Sequence, residues 1–515
     1  MAQVDEHLNI LLVMADQLGP RTLPAYGNRV VQAPNLSRLA REGVVFEHAY
    51  CSSPLCAPSR ASMMTGRLPS RIGVYDNGAE LPASVPTMAH HLRSRGYRTC
   101  LAGKMHFIGP DQLHGFEERL TSDIYPAALH WIPDWEAPPA RRLPWYHDMS
   151  SVLGAGVSDA TLQMDYDEEV AFRSVRAIRD VARAGDGRPF LLVASFSHPH
   201  DPWEVPAEYW DRYAGAPIDA PAVPAIPDDE LDPHSRRIRE MCGGIGLEVS
   251  AELVLNARRA HYAAVSYVDD KLGLLLEAVE MAGLRQDTVV IFTADHGEML
   301  GERGLWYKMT FFEPSAAVPL IVSAPWAFGP RRVRENVSLL DLLPTLAELA
   351  GARAGVEPAV DTGDQLDGAS LVPLLRGDAV SHADTVVGEY LAEGALAPVV
   401  MIRRGSLKFV TSPGDPDQLF DLGSDPHELS NLAASADYAH EVVAFREEVA
   451  QRWDLGALRD QVIASQRRRR LVAHALSIGA PPTWDYRPDD DSARRYVRGA
   501  DFWPPFDRAR LRRKG

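Results

Sequence analysis

The sequence predicts an α/β protein with a large mixed, mostly parallel sheet flanked by helices, a smaller C-terminal antiparallel sheet with a helix, and an extended C-terminal arm. Three observations predict this fold. Near-continuous apolar runs at residues 8–15 and 288–293 are typical of parallel strands that are buried on both faces. Stretches with helical spacing lie between such runs. After about residue 384, short alternating runs favour antiparallel pairing instead.

The length and net charge of the chain limit the classes of protein to which it can belong. The 515 residues are too many for one hydrophobic core, so we expect a large α/β domain over 1–380, a smaller α+β subdomain over 381–455 and an arm over 456–515. The net charge of -17 argues against a general nucleic-acid binder. It leaves room for a small anionic substrate, because local cations can reverse the field inside a pocket.

The N-terminus and the cysteines give information about the cellular compartment of the protein. The chain begins with acidic residues, and the apolar run that follows them is too short to span a membrane. We therefore expect a cytoplasmic protein without a membrane segment. The four cysteines are no disulfide framework in so long a chain, and no C-x-x-C pair indicates a zinc site.

In the first half of the chain, each predicted strand is followed by polar side chains. The strands are expected over 8–15, 44–46, 97–102 and 190–196. The side chains that follow them are, in order, Asp16, Cys56, Lys104 with His106, and His200. Each has an ordinary structural alternative, such as a helix N-cap for an aspartate after a strand.

The second half repeats this arrangement once. A helix is expected over 253–282, a strand over 288–293, a short strand over 319–323 and a helix over 339–350. Asp295 and His296 follow the strand at 288–293, and Lys308 comes shortly after them.

The C-terminal part has a different pattern. Short strands are expected over 385–390, 399–403, 407–410 and 419–422, followed by a helix over 438–453. The last sixty or so residues are basic and contain prolines, and aromatic residues such as Trp484 and Tyr486 are interleaved with the arginines. We expect an ordered arm that packs on another surface.

Cys56-Ala57-Pro58-Ser59-Arg60 is the most specific short motif in the chain. We expect it to form a turn that leads into a helix ending at Gly66. The first N–H groups of that helix would then point at an anion held by residue 56. The alternative is a buried cysteine before a proline turn.

Five predicted strand ends carry polar side chains, which predicts an active site at the carboxyl edge of one sheet. The acidic side chains with one imidazole suit Ca²⁺, Mg²⁺ or Mn²⁺ better than a thiolate zinc site. Arg60, Lys104 and Lys308 would surround a tetrahedral anion with positive charge.

These motifs, in this order, resemble the type I sulfatases of the alkaline-phosphatase superfamily. The stretches around Cys56, His200, Lys308 and Glu389 are similar to the choline-sulfatase branch. The resemblance implies that a formylglycine-generating enzyme converts Cys56 to formylglycine. It also implies one divalent cation, with Ca²⁺ favoured, and a homo-oligomer (dimer or tetramer) built through the arm. The implied metal ligands are Asp16, Cys56, Asp295 and His296.

The resemblance further implies roles in catalysis. The hydrated aldehyde at residue 56 attacks the sulfur of a sulfate ester, with Arg60 and Lys104 steadying the hydrate. His200 and Lys308 assist the departing alcohol. His106 then acts as the base that releases inorganic sulfate.

By their local context, four residues match a choline pocket: Asn77, Trp131, His147 and Glu389. The implied substrate is choline-O-sulfate, cleaved to choline and sulfate. A quaternary ammonium donates no N–H hydrogen bond, so aromatic faces and a carboxylate are the groups expected to recognise it.

The sequence departs from the commoner arylsulfatase pattern at two positions, so more than one function is possible. Gln17 follows Asp16 where arylsulfatases usually have a second aspartate, and His296 follows Asp295 where they have asparagine. Phosphonate monoester hydrolases share both changes, so a phosphonate or phosphodiester hydrolase or a promiscuous arylsulfatase is the second reading. The Lys104–His106 pair favours the sulfatase. A non-catalytic binder of sulfated ligands is the third reading, and it predicts an unmodified Cys56.

Overall fold

The computed structural model describes residues 8–137, 147–351, 363–378, 383–489, 495–496 and 510. The strands are β1 Asn9–Ala15, β2 Val44–Tyr50, β3 Arg98–Gly103, β4 Glu118–Arg119, β5 Gly156–Val157, β6 Phe190–Ser195, β7 Glu204–Val205, β8 Thr288–Ala294, β9 Ala317–Ser323, β10 Arg331–Ser338, β11 Thr385–Tyr390, β12 Val399–Arg404, β13 Leu407–Ser412 and β14 Asp415–Asp421. The helices are α1 Pro34–Glu42, α2 Cys56–Thr65, α3 Pro69–Ile72, α4 Met88–Arg93, α5 Ser150–Leu153, α6 Leu162–Ala184, α7 Ala207–Asp211, α8 Pro233–Met241, α9 Ala251–Met281, α10 Glu313–Ala316, α11 Leu342–Ala350, α12 Val372–Arg376, α13 Ala439–Arg452 and α14 Leu455–Leu476.

One large sheet organises the molecule, in the order β10-β2-β9-β8-β1-β6-β3-β4. Strand β9 runs antiparallel to both of its neighbours, and the other pairings are parallel. The predicted mixed, mostly parallel sheet is therefore confirmed. Because β1, β2, β3, β6 and β8 point the same way, their carboxyl ends meet at one edge.

The middle of this sheet is the hydrophobic core. Every residue of β1, β6, β8 and β9 is buried, as their apolar sequences require. Helices α6 and α9 pack against each other, and α2, α4 and α11 form a second packed group. Ser250 caps the start of helix α9, because its side chain accepts a hydrogen bond from the N–H of Leu253.

The smaller C-terminal sheet is also confirmed: β11, β12, β13 and β14 form an antiparallel meander in chain order. Helix α13 packs on it, with the rings of Phe409 and Phe445 stacked at 5.4 Å between centroids. The amide of Glu389 donates to Ser52 O at 2.8 Å and thus ties this sheet to the large domain.

The C-terminal arm begins with a long helix: α14 carries the four consecutive arginines at 467–470. Most of the chain after residue 489, including Asp501, lies outside the described residues. Among the described helices, none combines the length and apolarity that a membrane crossing requires.

Candidate active site

Four predicted metal ligands come together at the carboxyl edge of the large sheet. Asp16 directly follows β1, Asp295 and His296 directly follow β8, and Cys56 is the first residue of α2. All four are buried, and one ligand atom from each lies within 4.8 Å of the others. The fold therefore builds one compact cluster from residues that are up to 280 positions apart in the sequence.

Arg60 lies one helical turn after Cys56 and holds the two carboxylates in place. Its Nε donates to Asp295 Oδ2 at 2.8 Å and its second terminal nitrogen to Asp16 Oδ2 at 3.1 Å. The remaining terminal nitrogen donates to Lys104 O at 2.6 Å. Since Arg60, Asp16 and Asp295 are all fully buried, each charge depends on the others for compensation.

Lys104 is in contact with Asp16 Oδ2, and its Nζ lies 4.4 Å from the centre of the Tyr125 ring. Burial alone would raise the pKa of Asp16, but the positive charges of Lys104 and Arg60 lower it to about 2. Burial likewise opposes the charge on Lys104, yet Asp16 raises the pKa of this lysine above its ordinary value. Both groups are therefore charged at neutral pH.

Positively charged side chains of the site act on Cys56. Its Sγ is 3.2 Å from His296 Nε2. Burial would raise the pKa of this thiol, but the charges of Lys104, Lys308 and His296 hold it well below its ordinary value. Cys100 shows the contrast, because burial raises the pKa of its thiol to about 12.

The residues present fit a hard divalent cation. Asp16 Oδ1 is buried and has no hydrogen-bond partner among the described residues, as expected for an atom that faces a metal. His296 Nδ1 donates to Gly297 O at 2.9 Å, which turns Nε2 of the same ring toward the cluster. Two carboxylates and one imidazole are ligands that Ca²⁺ or Mn²⁺ accepts.

His200 and Lys308 form a second pair beside this cluster. His200 Nδ1 lies 2.7 Å from the carbonyl oxygen of Asp201, so it donates there, and Nε2 is left to accept from Lys308 Nζ at 2.9 Å. Lys308 also donates to Gln17 Oε1. A neutral imidazole and an ammonium group are thus held in contact.

His106 is held in a tight turn rather than in extended backbone, with φ of 60°. Asp123 stabilises the turn, since its Oδ2 accepts from the amides of Met105 and His106 at 2.9 Å each. Burial, reinforced by the charge of Lys104, lowers the pKa of His106. The ring is therefore neutral and able to accept a proton. Sequence reasoning missed Asp123 because nothing local relates it to His106.

Three of the predicted substrate residues surround this site. Asn77 Oδ1 accepts from the amide of Ala57 at 3.0 Å, next to Cys56. The Trp131 ring meets the His106 ring edge-on at 5.7 Å. His147 stacks on Tyr307 at 4.4 Å and lies 5.0 Å from His200, and burial lowers its pKa to about 3.

The fourth predicted substrate residue, Glu389, makes its hydrogen bonds elsewhere. Its carboxylate accepts from the amide of Ser70 at 2.8 Å, from the Ser70 hydroxyl at 2.7 Å and from Trp453 Nε1 at 2.6 Å. These contacts join α3 to the end of α13. The structure does not bring this carboxylate to the Cys56 cluster.

Glu393, four residues later, is the carboxylate that sequence reasoning missed. It is buried, and its Oε1 has no hydrogen-bond partner among the described residues. Burial raises the pKa of Glu393 well above its ordinary value, Asp76 and Cys56 raise it further, and Lys308 lowers it. The charges of Cys56 and Lys308 thus act on this carboxylate. The only sequence signal was a second glutamate in the loop after β11.

Family comparisons match most of the chain. The model described as "Sulfatase" matches residues 8–352. The model described as "N-sulphoglucosamine sulphohydrolase, C-terminal" matches 301–454, and "Choline sulfatase enzyme C terminal" matches 460–504.

Individual relatives agree with these matches. The chain is 47% identical over 498 residues to a choline-sulfatase of Rhizobium meliloti (strain 1021), covering 95% of each chain. It is 27% identical over 466 residues to an arylsulfatase of Clostridium perfringens, covering 85% of this chain and 93% of the relative. Among solved structures, a phosphonate monoester hydrolase of Agrobacterium radiobacter superposes with a TM-score of 0.67 at 26% identity, covering 88% of this chain and 96% of that one.

Proposed function

We infer that this chain, which belongs to the sulfatase family and is a sulfatase, acts on choline-O-sulfate. It would cleave this ester to choline and sulfate. The observation that supports this choice of substrate is the buried Glu393 carboxylate, on which the charge of Lys308 acts. An ester with an anionic end and a cationic end needs both charges in one pocket.

The sulfate end would lie among Lys104, Lys308, His200 and the N-terminus of α2. Lys104 and Lys308 are both fully buried, so their charges act in a medium of low dielectric. Charge-assisted hydrogen bonds from such groups are the strong ones for a tetrahedral oxyanion. These residues support binding of the sulfate group and stabilisation of the charge that develops on it.

For the nucleophile, we propose that a formylglycine-generating enzyme oxidises Cys56. Asn77 supports this role, because it fixes the backbone directly after residue 56. Asp16, Asp295, His296 and residue 56 would hold one divalent cation, for which Ca²⁺ is favoured and Mn²⁺ or Mg²⁺ are alternatives. When bound, such a cation acts as a Lewis acid and lowers the pKa of a hydroxyl group beside it.

Proton transfers fall to the two neutral imidazoles. Choline is a poor leaving group, so its departing oxygen needs a proton or a positive charge. Lys308 donates to His200 Nε2, so the Lys308 ammonium would supply the proton or the positive charge, either directly or through His200 Nε2. His106, neutral and held by the Asp123 turn, would accept a proton when sulfate is released.

The quaternary ammonium end would lie against the aromatic rings and Glu393. Tyr125 and Trp131 meet edge-on at 5.4 Å, and both contact His106. Each cation–π contact would contribute about 0.5–2 kcal/mol. His147, uncharged because burial lowers its pKa, can line the same pocket without repelling a cation. We assign the carboxylate role to Glu393 instead of Glu389.

The test compares two matched isosteric changes, Glu393→Gln and Glu389→Gln. We expect Glu393→Gln to raise KM for choline-O-sulfate about tenfold, since a desolvated charge pair contributes at least about 1.4 kcal/mol. The neutral ester 4-nitrophenyl sulfate should show little change in either variant. If only Glu389→Gln raised KM, the assignment of the carboxylate would be wrong.

Phosphonate monoester hydrolysis is the second candidate, favoured by the Asp16-Gln17 sequence and by the superposition described above. Rates of the wild-type enzyme on choline-O-sulfate and on phenyl phosphonate separate the two. A higher kcat/KM for the phosphonate would overturn the proposed substrate.

We also propose a cytoplasmic, self-associating protein that binds neither nucleic acid nor membranes. All four cysteines are free and buried, which suits a reducing compartment. Leu471 and Ile478, on and just after α14, have exposed fractions of 69% and 66%. Such apolar side chains on the arm suit a dimer or tetramer interface.

A further inference from the structure

Glu298 is a buried carboxylate that has no part in the proposed chemistry but is bound to the surroundings of Lys308. Its Oε1 accepts from the amide of Leu300 at 2.8 Å and from that of Tyr307 at 2.7 Å. Its Oε2 accepts from Gln17 Nε2 at 2.5 Å. Both oxygens are therefore engaged, and one of these contacts fixes the residue directly before Lys308.

Gln17 joins this carboxylate to the Lys308 side chain. Its Nε2 also donates to Asp201 Oδ1 at 3.2 Å, so the amide nitrogen lies between two carboxylates. Because carboxylate oxygens accept hydrogen bonds, the nitrogen has to face them, and Oε1 has to face the other way. Oε1 then accepts from Lys308 Nζ, which also donates to His200 Nε2 at 2.9 Å. A directed chain of hydrogen bonds thus runs between Glu298 and His200.

The backbone on both sides of Lys308 has an unusual conformation. Tyr307 and Met309 have φ of 68° and 77°, in the left-handed region that residues with a side chain seldom adopt. Such a conformation persists only where the surrounding structure holds it. The Tyr307 amide donates to Glu298, and the Met309 amide donates to Pro54 O at 3.0 Å, in the loop before α2. The position of the ammonium group therefore depends on Glu298 through the main chain as well as through the side chain.

We propose that Glu298 is a positioning residue for Lys308. Through Gln17 and the Tyr307 amide, it holds the ammonium group on His200, so that this group meets the departing oxygen. The inference rests on the proposed function, and within it on the role of Lys308. The effect of Glu298 should grow as the leaving group becomes poorer, because a poor leaving group needs more charge or proton donation from the ammonium.

The test compares full-length wild-type enzyme with Glu298→Gln on phenyl sulfate, 4-nitrophenyl sulfate and choline-O-sulfate. The substitution keeps one oxygen for the two backbone amides but turns an N–H donor toward Gln17 Nε2, which is itself a donor. We expect kcat/KM to fall about ten- to a hundredfold for phenyl sulfate and choline-O-sulfate, the size of a loss caused by misplacement. For 4-nitrophenyl sulfate, whose alcohol departs readily, we expect a change within about threefold.

A double-mutant cycle separates positioning from a merely structural role. In a Lys308→Met background no ammonium is left to position, so Glu298→Gln should change kcat/KM for phenyl sulfate by less than about threefold. Glu302→Gln is the matched control, because Glu302 is a buried acid in the same loop that accepts from the amides of Ala222 and Val223. It should leave kcat/KM unchanged for all three esters.

Three results would overturn the proposal: an unchanged kcat/KM in Glu298→Gln, equal losses on phenyl sulfate and 4-nitrophenyl sulfate, or additive losses in the Lys308→Met background. If Glu298→Gln does not fold, Gln17→Met decides, because it removes the side-chain link and leaves Glu298 on its two backbone amides. It should show the same dependence on the leaving group, and equal losses on both phenyl esters would refute the proposal. A wild-type enzyme that cleaves the phenyl esters but not choline-O-sulfate would refute the proposed substrate, and the leaving-group comparison would still decide the role of Glu298.

Discussion

At the scale of single residues, buried charges balance one another in the site. Arg60 and Lys104 together face Asp16 and Asp295, and none of these side chains has appreciable exposure to water. The cost of burying each ion is offset only while its partners remain. The same logic explains why the pKa of Asp16 is low while that of Glu393, which has no salt-bridge partner among the described residues, is high.

Arg60→Gln should therefore destabilise the fold as well as the site. In the presence of a chelator, which prevents a metal from compensating the carboxylates, we expect the free energy of unfolding in urea to fall by about 3–5 kcal/mol. Arg446→Gln, which removes an exposed pair, should change it by less than about 1 kcal/mol. Equal losses in the two variants would contradict this balance of charges.

Glu393 also predicts how substrate binding depends on pH. Its pKa is raised, and only the ionised form attracts a quaternary ammonium, so KM for choline-O-sulfate should fall as pH rises through this pKa and level off above it. Asp76 and Cys56 raise the pKa of this carboxyl group and Lys308 lowers it, and the Tyr390 hydroxyl donates to Oε2 at 3.5 Å. The fall should be absent in Glu393→Gln and with 4-nitrophenyl sulfate. The same slope in Glu393→Gln would show that another group titrates.

At the scale of secondary-structure elements, helix α6 positions the loop that carries His200. Asp167 on α6 accepts from the amides of Ser197 at 2.7 Å and His198 at 3.0 Å, and from His198 Nδ1 at 2.7 Å. These bonds fix the loop that follows β6 and carries His200. A helix on one face of the sheet thus sets the direction of a side chain at the sheet edge.

Asp167→Ala should lower kcat for choline-O-sulfate by about ten- to a hundredfold, because a misplaced His200 no longer meets the departing oxygen. Asp165→Ala is the control, since Asp165 lies on the same helix and is exposed. Steady-state rates with circular dichroism spectra of both variants check the result. An Asp167→Ala enzyme with wild-type kcat would show that the loop holds its shape unaided.

Much of this arrangement could be predicted from the sequence, because strand ends carry local signals. The apolar run before Asp16 and the one before Asp295 each indicated a buried strand, and the Cys56 motif indicated a helix start. The antiparallel direction of β9 could not be predicted, since direction depends on pairing partners. Strand β10 was missed because its sequence is polar, as an edge strand permits.

The choice between Glu389 and Glu393 shows the same limit at the site. Both glutamates lie within five residues in one short segment, and both are buried. The Glu389 carboxylate is bound by Ser70 and Trp453, whose distance in sequence from Glu389 hides the contact. The sequence did not lead us to predict helix α6 either. The hydrogen bonds by which Asp167 positions the His200 loop were therefore not predicted.

At the scale of the whole molecule, the chain forms a large and a smaller sheet, and the Arg469–Asp76 pair ties α14 to the segment that carries Asn77. The division at 380 and 455 remains a prediction. Contacts such as Arg237 with Asp415 and Gly394 O bind helix α8 to the smaller sheet. The site therefore depends on the docking of both parts.

Self-association of the arm gives a prediction at this scale. Light scattering should show a dimer or tetramer, and Leu471→Glu with Ile478→Glu should reduce the mass toward that of one chain, because charges would replace exposed apolar contacts. Leu429→Glu is the control, since Leu429 is 64% exposed but lies outside α14. An oligomer that withstands the double change would place the interface elsewhere.

The state of residue 56 in active enzyme tests the central claim most directly. The peptide that contains Cys56 should be analysed by mass spectrometry in a preparation that hydrolyses choline-O-sulfate. We predict the mass of an aldehyde in place of the thiol, in a fraction that rises with specific activity. Full activity with an intact thiol at position 56 would contradict the proposed nucleophile.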